Sequence, residues 1–158
     1  MLILCKSNVL SQNKIEQFSS QKVDIPLLIA KNKNIEYVLD TVISFMHKKR
    51  GSRDNRKYEL RFEQTENKEK IIAISLIYTT YDLNKIPKGV LKYKGNTFFV
   101  YGDFKGMLKK EKKCSKENKV TIDIVLYELN INTLDTVAWY FKHTKNGFEI
   151  IRIDEYGY

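Results

Sequence analysis

The chain is poor in the residues that build a disulfide scaffold or a metal centre. It has only two cysteines, Cys5 and Cys114, and only two histidines, His47 and His143. Two cysteines are too few for a disulfide framework or a cysteine zinc site, and the scattered histidines lack metal-ligand spacing. One Cys5–Cys114 bridge and two unrelated thiols are both open alternatives. We therefore expect neither a cofactor nor a bound metal.

Long apolar runs, flexible linkers and catalytic motifs are also missing. No stretch of about 18 apolar residues is present, so no transmembrane helix is expected. Seven glycines and two prolines in 158 residues argue against a long linker, and the length suits one domain. The sequence contains no nucleophile elbow, P-loop or glycine-rich dinucleotide fingerprint. These absences favour a single domain that is not an enzyme.

What the chain does have is basic charge in two places. Segments 47–57 and 105–119 each carry a net charge of +5, against +9 for the whole chain. One interpretation is solvated surface, and the other is an anion-binding face for nucleic acid, phospholipid or an acidic protein. Nine basic side chains are the candidate contacts: Lys48, Lys49, Arg50, Arg53, Arg56, Lys109, Lys110, Lys112 and Lys113.

The opening residues bear on location. Leu2 to Cys5 are apolar, and Lys6 ends the run, whereas a secretory signal has a basic start and about 7–15 apolar residues. The stretch LILCKSNVLSQNK nevertheless resembles the end of signal peptides on exported proteins of Bacteroidota. This resemblance implies that residues 1–12 are a signal-peptide remnant and that 13–158 form a periplasmic or secreted domain. The alternative to a signal remnant is that the opening residues form a short N-terminal strand of a cytoplasmic domain.

One segment has a clear helical period. Six apolar residues fall three or four positions apart on one face: Ile35, Val38, Leu39, Val42, Ile43 and Met46. Their spacing predicts an amphipathic helix over 34–50. Asn34 is the expected N-cap, and Gly51 is the expected stop after a basic last turn.

Most of the remaining chain alternates with the two-residue period of strands. Strands are predicted over 58–63, 70–81, 89–94, 96–102, 119–129, 136–144 and 148–154. Residues 24–30, with Pro26 near their start, are expected to be an extended segment laid against the core or an edge strand. Turns are predicted at Gly95-Asn96 and Asn146-Gly147, and 103–113 is expected to be a short helix or a loop. Neighbouring hairpins favour antiparallel pairing. The predicted fold is α+β: a mostly antiparallel sheet of about seven strands with one long amphipathic helix on one face.

The last hairpin contains an aromatic strand, TVAWYFKHT. Alternation predicts that Trp139 shares a buried face with its apolar neighbours; an exposed Trp139 would instead line a ligand groove with Tyr140 and His143. This ending resembles the C-terminal hairpins of small exported α+β proteins, including those with cystatin-like sheets, and the resemblance carries over no functional residue.

These observations favour a non-enzymatic binding protein, exported, whose partner is another protein. Neutralising a toxin, as small immunity proteins do, is one role of this class. The alternative is a cytosolic nucleic-acid-associated protein that binds phosphates through the basic segments 47–57 and 105–119.

Overall fold

The computed structural model describes residues 20–78, 85–111, 119–125 and 136–156. These residues form one helix, α1 (Lys33–Arg50), and nine strands. The strands are β1 (Ser20–Ala30), β2 (Lys57–Gln64), β3 (Lys70–Ile77), β4 (Gly89–Tyr93), β5 (Asn96–Tyr101), β6 (Leu108–Lys110), β7 (Lys119–Val125), β8 (Thr136–Thr144) and β9 (Gly147–Tyr156). The predicted signal remnant, 1–12, and the predicted strand end, 126–129, lie outside the described residues.

The predicted helix is confirmed, with a different N-cap. Asn32, two residues before the predicted Asn34, accepts a hydrogen bond from the Ile35 amide through its side chain. The helix ends at Gly51, whose φ is +77°. All six residues of the predicted apolar face are buried against the sheet.

The sheet is mixed, so the prediction of a mostly antiparallel sheet was wrong. Its strand order is β6-β1-β4-β5-β2-β3-β8-β9, with β7 paired to β1 outside this path. The β4–β5 hairpin lies between β1 and β2, and it pairs in parallel with each of them. Gly89 permits the close β1–β4 approach, because a Cβ there would lie 2.6 Å from Leu28. The other pairings are antiparallel.

The β4–β5 turn is displaced from its predicted place. It lies at Lys94-Gly95, one residue before the predicted pair, and both residues have positive φ. Asn96 therefore begins β5 and is buried, with its Nδ2 donating to the Lys94 carbonyl.

The C-terminal hairpin is confirmed with a similar shift of its turn. The turn lies at Lys145-Asn146, and Gly147 already pairs with Thr144. The predicted Asn146-Gly147 pair therefore straddles the end of the turn and the start of β9.

Two further strand predictions change. Residues 108–110 form the short strand β6 rather than a helix or loop, because they pair with the end of β1. At Leu28, β1 pairs with both β4 and β6, so it is internal there rather than an edge. Pro26 lies where the β7 pairing of β1 ends.

The core occupies the helix-facing side of the sheet. Trp139, Tyr58, Phe98 and Phe141 are its largest fully buried side chains. Trp139 contacts Phe45 of α1 edge to face, with ring centroids 5.5 Å apart. A smaller apolar cluster lies on the opposite side of the sheet and includes Ile25, Val90 and Phe99. The helix thus rests on a sheet that is buried on both faces at its centre.

Candidate anion-binding cleft

A cleft of about 350 Å³ lies where α1 ends, β2 begins and β3 ends. Four basic residues line it: Arg50, Arg53, Arg56 and Lys57. Three apolar residues, Met46, Leu76 and Ile77, also line it, together with Asp54, Asn55 and Tyr78. We call this feature the arginine cleft. It gathers three of the nine predicted contacts, and it does so because the basic turn follows directly on the last turn of the helix.

Arg56 organises the backbone around the cleft. Its Nη2 donates to the carbonyl oxygens of Arg50 and Gly51, at 3.3 and 2.9 Å, and its Nη1 donates to that of Arg53 at 2.8 Å. The last carbonyls of a helix have no partner within the helix, and a cation is favoured at that negative end. The Arg56 guanidinium therefore fixes the turn from which Arg50 and Arg53 project.

Arg50 is held from the other side by Tyr78. Its Nη1 lies 3.0 Å from the Tyr78 hydroxyl, which accepts the hydrogen bond. Tyr78 directly follows β3 and is 51% exposed, so its ring forms a partly open wall of the cleft. This contact joins the end of α1 to the end of β3.

Arg53 and Lys57 supply the cations of the cleft without an internal counter-ion. Within the described ranges, neither side chain makes an ion pair. Asp54 is the one acidic residue among the described lining residues, and its side chain lies against Gly95 in the β4–β5 turn. The described part of the lining is therefore cationic overall.

The remaining predicted basic contacts lie elsewhere. Lys48 is exposed, and Lys49 forms an ion pair with Glu155 of β9. Lys109 and Lys110 lie exposed in β6, which runs beside the end of β1. Lys112 and Lys113 lie outside the described residues.

The described parts of the two basic segments do not meet. The Met107 carbonyl accepts from the Lys31 amide just before α1, whereas Arg56 binds the carbonyls just after it. A helix of 18 residues is about 27 Å long. The two segments therefore approach opposite ends of α1, as far as the structure describes them.

The condition for a ligand groove of Trp139, Tyr140 and His143, an exposed Trp139, is not met. Successive residues of β8 point to opposite faces, so Trp139 is buried at 0% exposure while Tyr140 points away from it. The Arg152 guanidinium covers the Tyr140 ring at 3.9 Å, and the His143 ring lies edge to face against Phe148. The burial predicted for Trp139 is confirmed.

A second cleft of about 300 Å³ lies along the exposed side of β2. Its main cation, Arg61, already pairs with Glu63 at 3.3 Å and with Glu59 at 3.7 Å. Burial and the nearby Glu59 raise the pKa of Tyr101, which also lines this cleft. Because its charges are balanced internally, this cleft is a weaker candidate for an anion than the arginine cleft.

Sequence reasoning missed Tyr78 and the apolar wall of the arginine cleft. Met46 and Leu76 belong to the apolar patterns of the helix and of a strand, which predict core positions. Their place beside the basic turn depends on the tertiary structure. Tyr78 lies inside the predicted strand 70–81, so no signal in the sequence indicated its place in a cleft. Lys57 lies within the predicted basic segment but was not among the named contacts.

The guanidinium groups of the cleft can bind an anion. Guanidinium groups recognise carboxylates and phosphates through paired hydrogen bonds. No histidine or cysteine appears among the described lining residues, and no metal-ligand cluster of His, Cys, Asp and Glu occurs in the described parts of the chain. Nor does a helix in those parts have the length and apolar character to span a membrane.

Comparison with protein-family models, curated proteins and solved structures finds no match to this chain. The resemblance of the opening stretch to signal peptides of Bacteroidota stays a prediction, since residues 1–12 lie outside the described ranges. The function must therefore be inferred from the side chains of the arginine cleft.

Proposed function

We propose that this protein is a non-enzymatic binding protein that engages an acidic surface of another protein through the arginine cleft. The observation that carries the proposal is the convergence of Arg50, Arg53, Arg56 and Lys57 on one cleft, with a single acid among the described lining residues. Charge complementarity of this kind steers association and selects the partner. Arginine and tyrosine, both present here, are the residues that most often dominate binding energy at protein interfaces.

The surrounding fold supports a fixed recognition surface. The cleft lies between the end of α1, the start of β2 and the end of β3, all of which pack on the main core. An exported protein of this kind would meet its partner outside the cytoplasm. A toxin that is neutralised by an immunity-type protein is one such partner.

The nucleic-acid alternative has less support. A phosphate backbone binds best to a continuous basic stripe, whereas the described parts of segments 47–57 and 105–119 lie at opposite ends of α1. Tighter binding of an oligonucleotide than of an acidic polypeptide would favour it.

The test compares three probes on the full chain: poly-L-glutamate, poly-L-lysine and a single-stranded oligonucleotide, each at about 50 and 200 mM salt. We expect poly-L-glutamate to bind, to weaken at the higher salt, and to bind more tightly than the oligonucleotide. Poly-L-lysine should not bind. Tighter binding of the oligonucleotide would replace the proposal by the nucleic-acid alternative, and no binding of poly-L-glutamate would refute it.

A further inference from the structure

The arginine cleft divides its cations into two groups with different tasks. Arg56 is held by three backbone carbonyls, and Arg50 is held by the Tyr78 hydroxyl. Arg53 and Lys57, by contrast, make no ion pair with any described residue. Groups ordered before a ligand arrives lose less conformational freedom on binding. The first pair therefore shapes the cleft, and the second pair is placed to meet a ligand.

The size and lining of the cleft restrict what can enter it. A volume of about 350 Å³ is near the lower limit of ligand sites, and it suits one or two side chains. Buried Met46, Leu76 and Ile77 supply hydrocarbon along with the charges. Single-stranded nucleic acid, by comparison, is bound along a basic groove with aromatic platforms for successive bases.

The local charges favour a single negative charge. The C-terminal end of α1 carries a partial negative charge, and Asp54 adds a full one beside the cations. Both oppose a dianion such as a phosphate monoester more strongly than they oppose a carboxylate.

We propose, on the basis of the proposed function, that the cleft binds the side chain of a glutamate or aspartate of the partner protein. Its carboxylate binds Arg53 and Lys57, and its hydrocarbon stem lies along the apolar wall. Arg56 is a positioning residue, because its guanidinium contacts the backbone of the turn. Recognition thus depends on two named cations and not on the total charge of the chain.

The experiment compares two double variants that remove the same charge from opposite ends of α1. Arg53→Met with Lys57→Met removes the two lining cations that make no ion pair with a described residue, and Lys109→Met with Lys110→Met is the matched control in β6. Poly-L-glutamate is the probe, and the melting temperature of each variant checks its fold. We expect the cleft variant to bind about tenfold more weakly or worse, with the control within about threefold of the wild type.

Equal losses in both double variants would indicate general charge attraction, and would contradict both the assignment of the two cations and binding through the arginine cleft. A cleft variant that binds as well as the wild type would overturn the assignment too. Arg53→Lys keeps the charge but loses the planar fork, so it should bind at an intermediate level, which a purely structural role of Arg53 would not produce. Failure of the wild-type chain to bind poly-L-glutamate would refute the proposed function itself.

Discussion

The guanidinium of Arg56 closes the end of α1, with its Nη2 2.9 Å from the carbonyl oxygen of Gly51. The same side chain also binds the carbonyls of Arg50 and Arg53. One residue thus satisfies the end of the helix and fixes the turn that carries the cations of the arginine cleft. Helix stability and the shape of the candidate site are coupled through this contact.

Replacing Arg56 by Met should lower the free energy of unfolding by about 1 kcal/mol, because the helix end loses its partly exposed cation and its hydrogen bonds. Urea denaturation at neutral pH measures the change. Arg53→Met is the matched control: its side chain makes no ion pair in the described residues, so its effect should stay within about 0.5 kcal/mol. Equal losses from both substitutions would show that Arg56 has no special part in holding the turn.

Ionisation of Tyr58 should lower the stability of the fold at alkaline pH. Burial raises the pKa of Tyr58 from 10.0 to about 12, and its hydroxyl makes no hydrogen bond with the described residues. Because the unfolded chain loses this proton first, the contribution of Tyr58 to the free energy of unfolding is constant below about pH 10 and falls as the pH rises toward 12. Tyr58→Phe should therefore be more stable than the wild type by about 1.4 kcal/mol at pH 11, relative to their difference at pH 8.

The control for this alkaline effect is Tyr37→Phe, because Tyr37 is 53% exposed on α1. Urea denaturation at the two pH values measures both variants. A Tyr58→Phe difference that does not change with pH would contradict the burial of the ionisable hydroxyl.

The apolar face of α1 should not tolerate charge. Leu39 is fully buried against the sheet, so Leu39→Asp places an unpaired carboxylate in the core, at a cost of several kcal/mol or more. We expect the variant to be unfolded by circular dichroism at room temperature. Ser44→Asp, at an exposed position of the same helix, should remain folded. A soluble, folded Leu39→Asp with an unchanged melting temperature would rule out the packing of this face.

Truncating Trp139 should lower the free energy of unfolding more than truncating any other side chain of β8. It is fully buried and packs on Phe45 of α1 and Tyr58 of β2. Trp139→Ala should lower the free energy of unfolding by roughly 3–5 kcal/mol through the lost contacts and the cavity. Ile151→Ala, in the neighbouring β9 and 55% exposed, should change it by less than about 0.5 kcal/mol. A loss under about 1 kcal/mol at Trp139 would contradict its place in the core.

Local features of the fold could be predicted because their signals are local. The period of the six apolar residues defines α1, and alternation around Trp139 defines β8 and its buried face. The insertion of the β4–β5 hairpin between β1 and β2 has no such signal, since parallel pairing depends on contacts distant in sequence. Both hairpin turns lie one residue earlier than predicted: Gly95 occupies the second turn position rather than the first, and Gly147 follows its turn rather than occupying the second position.

The candidate site was predictable only in part for the same reason. The basic turn that contains Arg53 is visible in the sequence, and its place after a helix is too. Tyr78 lies 28 residues from Arg50 along the chain, and only the position of β3 beside β2 brings the two together. The opposite placement of Lys109 and Lys110 likewise follows from β6 pairing with β1.

The most direct test of binding at the arginine cleft is an amide chemical-shift titration of the full, isotope-labelled chain with poly-L-glutamate. If the cleft is the binding site, the largest shifts fall on residues 50–57 and on Tyr78, and they saturate together. Shifts of equal size at Lys109 and Lys110, or shifts spread evenly over the surface, would show that the cleft has no special role and would contradict the proposed function.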